Sequence, residues 1–361
     1  MMRTLDRYLV TTFLRSYIIL LLVGIVLFIV PDLLINLDEF TENRELSLGQ
    51  VLWIMLDYYG CNVPQYFSQL AGPVMAFAGA FTFAMMLRNN EMVALVAAGV
   101  RLQRLAVPVL VCAVGLVALW MVNREYVLPH LAHKIARHHD DITGVRVAGI
   151  SFARDENDAF LTARRIHLPE RRLDYVVIVE PPGRGGHSIL ADAAIYDPAR
   201  KTWRLERGER IVEGGRGDDD HVHGIAREPV REYPFALAPE ELLLRQSAQW
   251  AGMLSLRQMN ELLTSRNLPN LAAVRMQRHI WLTQPMLQWL LLALALPFFL
   301  TREPGSVLVA GGRALLVCGA FFGVTFVAQG VVSAQWAALV AWVPILLFGP
   351  VAVLQLANVK T

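Results

Sequence analysis

Six long apolar runs constrain the fold of this chain more than any other feature of its sequence. They lie at about 13–35, 65–87, 105–122, 280–300, 307–329 and 336–356. Because a helix rises about 1.5 Å per residue, about 20 apolar residues cross a hydrocarbon core of about 30 Å. The sequence therefore predicts six transmembrane helices, three on each side of a more polar central region.

The charges that flank these runs predict the orientation of the chain. Lys and Arg favour the cytoplasmic side of a membrane. Arginines precede the first run and occupy the link between the second and third, whereas acidic residues follow the first run. We therefore expect cytoplasmic termini and a periplasmic central domain, in the inner membrane of a bacterium. The residues concerned are Arg3, Arg7, Arg15, Arg88, Arg101 and Arg104, and Asp38, Glu39, Glu42 and Glu45.

The first run is expected to stay in the membrane. A cleavable signal peptide ends in small residues that form a cleavage site. Here acidic residues follow the run instead. We therefore predict that this segment is an anchor.

The central region, about 143–239, has the pattern of a β domain. Residues 174–180 are rich in β-branched side chains, and residues 201–207 alternate apolar with polar. Many short strands separated by Gly, Pro and Asp turns are typical of a sandwich, roll or barrel. The predicted fold class is an α-helical membrane protein with six transmembrane helices and an all-β domain inserted between helices 3 and 4. Shorter candidate strands are 150–153, 159–163, 189–196 and 233–237.

These features divide the chain into three parts. Residues 1–140 carry transmembrane helices 1–3 with a short cytoplasmic helix at 88–100, residues 141–250 form the β domain, and residues 251–361 carry a connecting amphipathic helix and helices 4–6. The connecting helix is predicted over 253–265. Its start is marked by Ser255 and Gln258, which have the spacing of a capping box.

The sequence lacks the motifs of the common enzyme classes. It has no G-x-x-x-x-G-K-[ST] phosphate loop, no G-x-S-x-G nucleophile and no H-E-x-x-H zinc motif. The net charge of +2 is too small to suggest a nucleic-acid partner, and the three cysteines form no close pair. We predict a chain that is not an enzyme, has no metal site, and binds no cofactor or nucleic acid itself.

One histidine pair leaves a metal site open. His221 and His223 would face the same side of a strand beside the acidic residues 218–220, where a carboxylate could complete a zinc site. A solvated loop tip explains the same residues, and we favour that interpretation. The sequence does not decide whether the pair binds anything.

The link between the second and third runs, 88–100, predicts a short cytoplasmic helix. Asn89 or Asn90 can cap its start. Glu91 then lies in the first turn, where the helix dipole favours a carboxylate, and Gly99 can end the helix. Such a helix is a natural docking element for a soluble partner. The segment taken alone, however, is better explained if Glu91 only stabilises its own helix. The apolar surface of the helix consists of Met92, Val93, Leu95 and Val96.

The order of these features resembles the LptF/LptG (YjgP/YjgQ) permease family, the membrane subunits of the lipopolysaccharide-export ATP-binding-cassette transporter. Asn90-Glu-Met-Val-Ala-Leu-Val-Ala-Ala-Gly99 is similar to the family's S/N-E-[LM]…A-x-G stretch. The resemblance extends to the three-plus-three helices and the β domain, and so covers nearly the whole chain. Asp38 fits the LptG type better than the LptF type. Further similar segments are 123–129, 133–137 and 254–262.

This resemblance implies the partners of the chain. The β domain would be a jellyroll, and the cytoplasmic helix would couple to a separate ATPase dimer similar to LptB, which binds the ATP. A second LptF/LptG-type permease would complete a lipid cavity. Periplasmic jellyroll proteins similar to LptC and LptA would then receive the lipid. The implied coupling residues are Asn90, Glu91, Met92, Leu95 and Gly99.

The resemblance also implies where a lipid head group binds. Lys134 and Arg137 would face lipid phosphates near the cavity mouth, although an interfacial anchor whose side chain reaches the head groups explains Arg137 nearly as well. One departure concerns the first helix, because the LptG type ends it in lysines whereas residues 35–42 are acidic here. The cargo is therefore expected to be lipopolysaccharide or a related lipid.

Three other functions compete with a lipid exporter. A scaffold or sensor would use the β domain to bind an envelope ligand and would pack its helices shut. A macrolide-exporter-like permease is disfavoured by the three-plus-three arrangement. An intramembrane enzyme is disfavoured because the polar residues near the spans form no acid–base group. These residues are Asp57, Gln284, Gln288 and Gln329.

Overall fold

The chain folds into two compact units. One comprises Met1–Ile35, Asn62–Pro129 and Ala272–Thr361, and the other comprises Asn36–Cys61 and His130–Leu271. The computed structural model describes residues 4–37, 47–135, 150–155, 158–167, 170–181, 183, 186–200, 202–213, 225–235, 237–239, 242, 250–264, 271–301, 306–330 and 336–359.

Six helices in the described part of the chain are long and apolar enough to cross a membrane, as the sequence predicts. The second helix is continuous for 41 residues and begins 17 residues before the apolar run at 65–87. The helices are called spans 1 to 6: Thr4–Ile35, Leu48–Arg88, Leu102–Val122, Leu271–Ala295, Val307–Gly330 and Ala337–Ala357.

Spans 2 and 4 pack closely because glycines remove side chains from their contact. A Cβ atom on Gly72 would lie 2.8 Å from Cγ of Gln288, and one on Gly79 would collide with the side chain of Leu292. Small residues let membrane helices approach and gain van der Waals contact, which is the main attraction between helices in lipid. These two glycines therefore fix span 2 against span 4.

Span 3 is anchored to span 2 by polar side chains. Nε1 of Trp120 donates a hydrogen bond to the Ser68 carbonyl at 2.9 Å. Nδ2 of Asn123 donates to the Pro64 carbonyl at 2.9 Å and to Oγ of Ser68 at 3.0 Å. Asn123 also begins a π-helical turn, Asn123–Val127, which is followed by a short helix, Leu128–Ile135.

The β domain is an open antiparallel sheet. The described strands are β1 Ile150–Arg154, β2 Phe160–His167, β3 Arg172–Val179, β4 Ser188–Asp197, β5 Thr202–Glu206, β6 Glu209–Glu213, β7 Ile225–Pro229 and β8 Glu232–Tyr233. They follow the order β1-β2-β3-β4-β5-β8, and β6 pairs with both β4 and β7. The predicted fold class, six membrane helices with an inserted all-β domain, is confirmed.

The sheet branches at β4, where β5 and β6 act as two parts of one interrupted strand. β5 and β6 pair with β4 in the same register, and only Arg207 and Gly208 separate them. A Cβ atom on Gly208 would collide with the Val230 carbonyl, while the Val230 amide donates to the Gly208 carbonyl at 2.8 Å. The neighbouring strands β7 and β8, which pair with β6 and β5, are therefore interrupted at the same point, opposite Gly208.

One face of the sheet carries the core of this unit. Its strands alternate buried with exposed residues, as half-buried antiparallel strands do. Nε1 of the buried Trp203 donates to the Leu237 carbonyl at 3.1 Å, so its polar atom is satisfied. Fully buried core residues are Leu161, Leu173, Ile178, Ile189, Trp203 and Phe235.

The strand predicted at 233–237 is wrong beyond Tyr233. Pro234 has no N–H group and cannot continue the ladder, so β8 ends at Tyr233. Phe235 and Leu237 are nevertheless buried, at 0% and 2% exposure. The apolar pattern thus identified core residues correctly but predicted a strand where the backbone leaves the sheet.

The connecting helix, Leu256–Thr264, begins at the predicted capping box and not at residue 253, where the sequence places its start. The Ser255 amide donates to Oε1 of Gln258 at 3.0 Å, and the Gln258 amide donates to Oγ of Ser255 at 3.1 Å. These reciprocal bonds are a capping box, which satisfies two backbone donors that the helix leaves free. A short helix, Trp250–Met253, precedes it.

Candidate functional site

The link between spans 2 and 3 contains a short helix, Glu91–Ala97, here called the link helix. Gly99 ends it with φ of +77°, a left-handed conformation that glycine adopts without strain. The Gly99 amide bonds to the Val96 carbonyl and the Val100 amide to the Leu95 carbonyl, both at 3.0 Å. This is a Schellman motif, and the predicted stop at Gly99 is confirmed.

The predicted side-chain cap at the start of the link helix is wrong. Asn90 precedes the helix but has φ of 61° and makes no side-chain cap hydrogen bond. A capping side chain requires an extended backbone at that position, and the left-handed Asn90 does not supply one. Nδ2 of Asn89 lies 3.4 Å from Oε1 of Glu91, a long hydrogen bond outside the capping pattern.

The link helix turns one side inward and leaves another free. Met92 is 1% exposed and packs in the core of its unit, with Leu95 and Val96 partly buried against the same core. Among the five predicted coupling residues, Met92 therefore attaches the link helix to the spans. The exposed side consists of Val93, Ala94, Ala97 and Ala98.

Glu91 is tied to span 1 by a contact that the sequence does not reveal. Oη of Tyr8 donates a hydrogen bond to Oε2 of Glu91 at 2.9 Å. A second contact joins span 1 to the start of span 3, because Nη2 of Arg104 lies 3.8 Å from Oδ1 of Asp6. No local pattern joins residues so far apart, so the only available signal was that both segments border the same side of the predicted membrane.

The start of span 3 also meets the end of span 6. Nε2 of Gln103 lies 3.0 Å from the Ala357 carbonyl and 3.3 Å from the Leu356 carbonyl. The last carbonyls of a helix have no partner within it, and Gln103 satisfies those of span 6. The link helix therefore contacts span 1 through Glu91 and Tyr8, while the start of span 3 contacts the end of span 6 through Gln103.

An apolar groove of about 490 Å³ opens on the surface formed by spans 3, 4 and 6. Trp289 lies in its wall and donates from Nε1 to the Leu110 carbonyl at 3.2 Å, which joins span 4 to span 3. The residues that line the groove include Val114, Val117, Met286, Trp289, Gly349 and Val353.

The other predicted site residues carry less structural information. The backbone of Lys134 belongs to the helix Leu128–Ile135, while Arg137, His221 and His223 lie outside the described residues. In the described part of the chain, no group of three or more His, Cys, Asp or Glu side chains could hold a metal ion. Nε2 of Gln329 lies 3.4 Å from Oε1 of Gln284, so these two membrane glutamines join span 5 to span 4.

Six membrane helices with a β sheet inserted between the third and fourth define a multi-pass membrane protein with a three-plus-three topology. The chain belongs to the family described as lipopolysaccharide export system permease LptF/LptG, whose model matches residues 7–358. This confirms the resemblance noted in the sequence and indicates a transport subunit rather than an enzyme. A search of curated proteins found no match. The closer likeness to the LptG type stays a prediction.

Proposed function

We propose that this chain is a permease subunit of an ATP-driven exporter that removes lipopolysaccharide or a related lipid from the bacterial inner membrane. The observation that carries the proposal is the family match over residues 7–358, which spans both membrane halves and the β domain. In this proposal the termini are cytoplasmic, the β domain is periplasmic, and the chain pairs with a second LptF/LptG-type permease.

The proposed partner ATPase docks on the link helix. ATP binds to that partner, a cytoplasmic dimer similar to LptB. The exposed side of the link helix, with Val93 at 43% exposure beside three alanines, offers a smooth surface against which another protein can pack. Movement of the link helix would reach span 1 through the bond between Tyr8 and Glu91.

The coupling residues divide into three roles in this proposal. Asn90 and Gly99 set the start and end of the link helix, and Met92 and Leu95 hold it against the spans. Glu91 is the residue through which movement passes to span 1. Lys134 and Arg137 are proposed to attract the lipid head group, and periplasmic jellyroll proteins similar to LptC and LptA would accept the lipid from the β domain.

The test uses the complete exporter, purified through a tag on this chain and reconstituted in vesicles that contain lipopolysaccharide. ATP hydrolysis and lipid release to an added periplasmic acceptor are measured together. Glu91→Ala is expected to leave assembly intact but to lower the lipid released per ATP hydrolysed. The matched control is Glu261→Ala, which removes an exposed carboxylate outside the link helix that pairs with Arg257 at 3.1 Å.

Two results would contradict the proposal. Purification without any ATP-binding subunit, repeated with the partner tagged, would favour a scaffold that binds an envelope ligand. Coupled release by Glu91→Ala equal to that of the wild type would remove Glu91 from the coupling route while leaving the exporter assignment standing.

A further inference from the structure

Arg124 occupies an unusual position for a cation. It lies in the π-helical turn that follows span 3, two residues after the helix ends at Val122. From Leu102 to Arg124 the chain rises about 33 Å at about 1.5 Å per residue, slightly more than the thickness of a hydrocarbon core. Arg124 therefore lies near the level of the lipid head groups, on the side of the membrane where the chain enters the β domain.

No acidic side chain neutralises Arg124 among the residues that the structure describes. Its Nε atom is buried and has no hydrogen-bond partner there. Its guanidinium carbon lies 5.9 Å from the centre of the Trp120 ring, which provides a cation–π contact but accepts no hydrogen bond. An ionisable side chain in a membrane segment usually has a partner or a function, and here the described part of the chain supplies no anion.

The surroundings hold Arg124 in place. Trp120 and Asn123, the residues one turn and one position before it, are both bonded to span 2 through Ser68. Asn123 also bonds to the Pro64 carbonyl. A π-helical turn is rare and is frequently found at functional sites. The hydrogen bonds of Trp120 and Asn123 to span 2 therefore fix the backbone position of Arg124.

The apolar groove begins at Val117, two turns of span 3 away from Arg124, and continues to Leu356 at the end of span 6. Val117, which lines the groove, and Trp120 are buried residues at helical spacing, and Arg124 follows one turn farther along. The groove extends across spans 4 and 6, and its lining is almost wholly apolar. At this depth in a bilayer a lipid acyl chain is the molecule available to fill it.

We propose that Arg124 and the groove form a binding site for one phosphate-bearing lipid. The lipid phosphate accepts hydrogen bonds from the Arg124 guanidinium, whose planar donors suit phosphate oxygens, and an acyl chain lies in the groove. The site goes beyond the proposed export function, because a lipid can bind here whether or not an ATPase drives transport.

The test is native mass spectrometry of the full chain released from nanodiscs that contain phosphatidylglycerol, with or without added lipid A. The wild-type chain is expected to retain one phosphate-bearing lipid. Arg124→Gln is expected to lower retention about fivefold, the usual effect of one cation–lipid contact at a membrane surface. Arg124→Lys should retain most of the lipid because it keeps the charge. Arg313→Gln, which removes an exposed arginine from span 5, is the control.

The groove is tested by filling it. Gly349 lines the groove and has no atom within 4 Å of a Cβ built on it, so Gly349→Trp projects into open space. It should lower lipid retention, whereas Gly115→Trp, at an equally open position of span 3 outside the groove, should not.

The outcomes separate the sources of the lipid. Retention of phosphatidylglycerol supports a resident membrane lipid, and selective retention of lipid A supports the same site on the export route. Equal retention by Arg124→Gln and the wild type would overturn the proposal. The proposal would also be overturned if Arg124→Lys lost as much lipid as Arg124→Gln, because lysine keeps the positive charge that the site needs. Thermal unfolding of each variant shows whether the fold is kept.

Discussion

Spans 2 and 4 differ sharply from spans 1 and 5 in how they are packed. In the most apolar stretch of spans 2 and 4, 61% of the residues are buried within the chain, against 0% in span 1 and 11% in span 5. The buried residues of span 1, among them Leu9, Phe13 and Tyr17, lie in its first half, and its second half contacts span 2 through the rings of Phe28 and Tyr66, whose centroids are 5.6 Å apart. Spans 1 and 5 are also the more apolar pair, with a mean hydropathy of 3.1 and 2.0 in these stretches against 1.8 and 1.3 in spans 2 and 4, so burial within the chain does not follow apolar character.

The distribution of glycines shows what the difference means. Gly72 and Gly79 of span 2 face side chains of span 4 at contact distance, whereas Gly319 and Gly323 of span 5 have nothing within 4 Å. Glycines four residues apart let a second helix approach closely. Spans 2 and 4 therefore pack against each other within this chain. Spans 1 and 5 have exposed apolar surfaces, on which the second permease proposed above could pack.

The largest predicted difference comes from deleting side-chain volume. Met75 of span 2 is 1% exposed, and Met75→Ala should lower the free energy of unfolding by about 2–5 kcal/mol because it leaves a cavity. Leu27 of span 1 is 69% exposed, and Leu27→Ala should change the free energy of unfolding of the isolated chain by less than about 0.5 kcal/mol. Unfolding in detergent measures both, and equal losses would erase the distinction between the spans.

Adding volume tests the same distinction in the opposite direction. Gly79→Leu should destabilise the isolated chain by about 1–3 kcal/mol, because the buried Leu292 and Leu296 leave no room. Gly323→Leu should leave the isolated chain unchanged but weaken its association with the second permease. Unfolding of the purified chain and co-purification of the permease pair separate the two effects. If Gly323→Leu destabilised the isolated chain by as much as Gly79→Leu, span 5 would not be open.

A smaller effect is expected where span 3 is tied to span 2. Asn123→Leu removes the bonds to Pro64 and Ser68 and should cost about 1 kcal/mol, within the range of hydrogen bonds between membrane helices. The double variant Asn123→Leu with Ser68→Ala should cost less than the sum of the two single changes, because both remove one shared bond. Strict additivity would show that the bond contributes nothing.

The smallest effect concerns span 5. Gln329→Leu breaks the 3.4 Å contact with Gln284 and should cost about 0.6 kcal/mol, since the bond is long. Spin labels on spans 4 and 5 should show a broader distance distribution in this variant. An unchanged distribution would mean that other contacts hold span 5.

Local patterns predicted local structure well. The stop at Gly99 and the capping box of Ser255 and Gln258 depend on residues within a few positions of each other, and both are confirmed. β6 and β7 were missed because charged residues such as Glu209 and Arg227 interrupt any apolar alternation, and because residues 209–212 of β6 are only half-buried and residues 226–229 of β7 are exposed.

Contacts between distant segments were out of reach of the sequence. Tyr8 and Glu91 meet because the start of span 1 lies beside the end of span 2. Asn90 fails as a cap because the turn that follows span 2 places it in a left-handed conformation. Arg124 was visible in the sequence, but its unpaired Nε atom depends on the packing of spans 2 and 3.

The most direct test of the unequal packing is photo-cross-linking in native membranes from positions that are all exposed in the isolated chain. Leu22 of span 1 and Leu316 of span 5 are 58% and 76% exposed, and Met286 of span 4 is 50% exposed. A photoreactive residue at Leu22 or Leu316 is predicted to capture a second membrane protein, while one at Met286 captures lipid. Lipid adducts alone from Leu22 and Leu316, in chains that still assemble with their ATPase, would contradict the account.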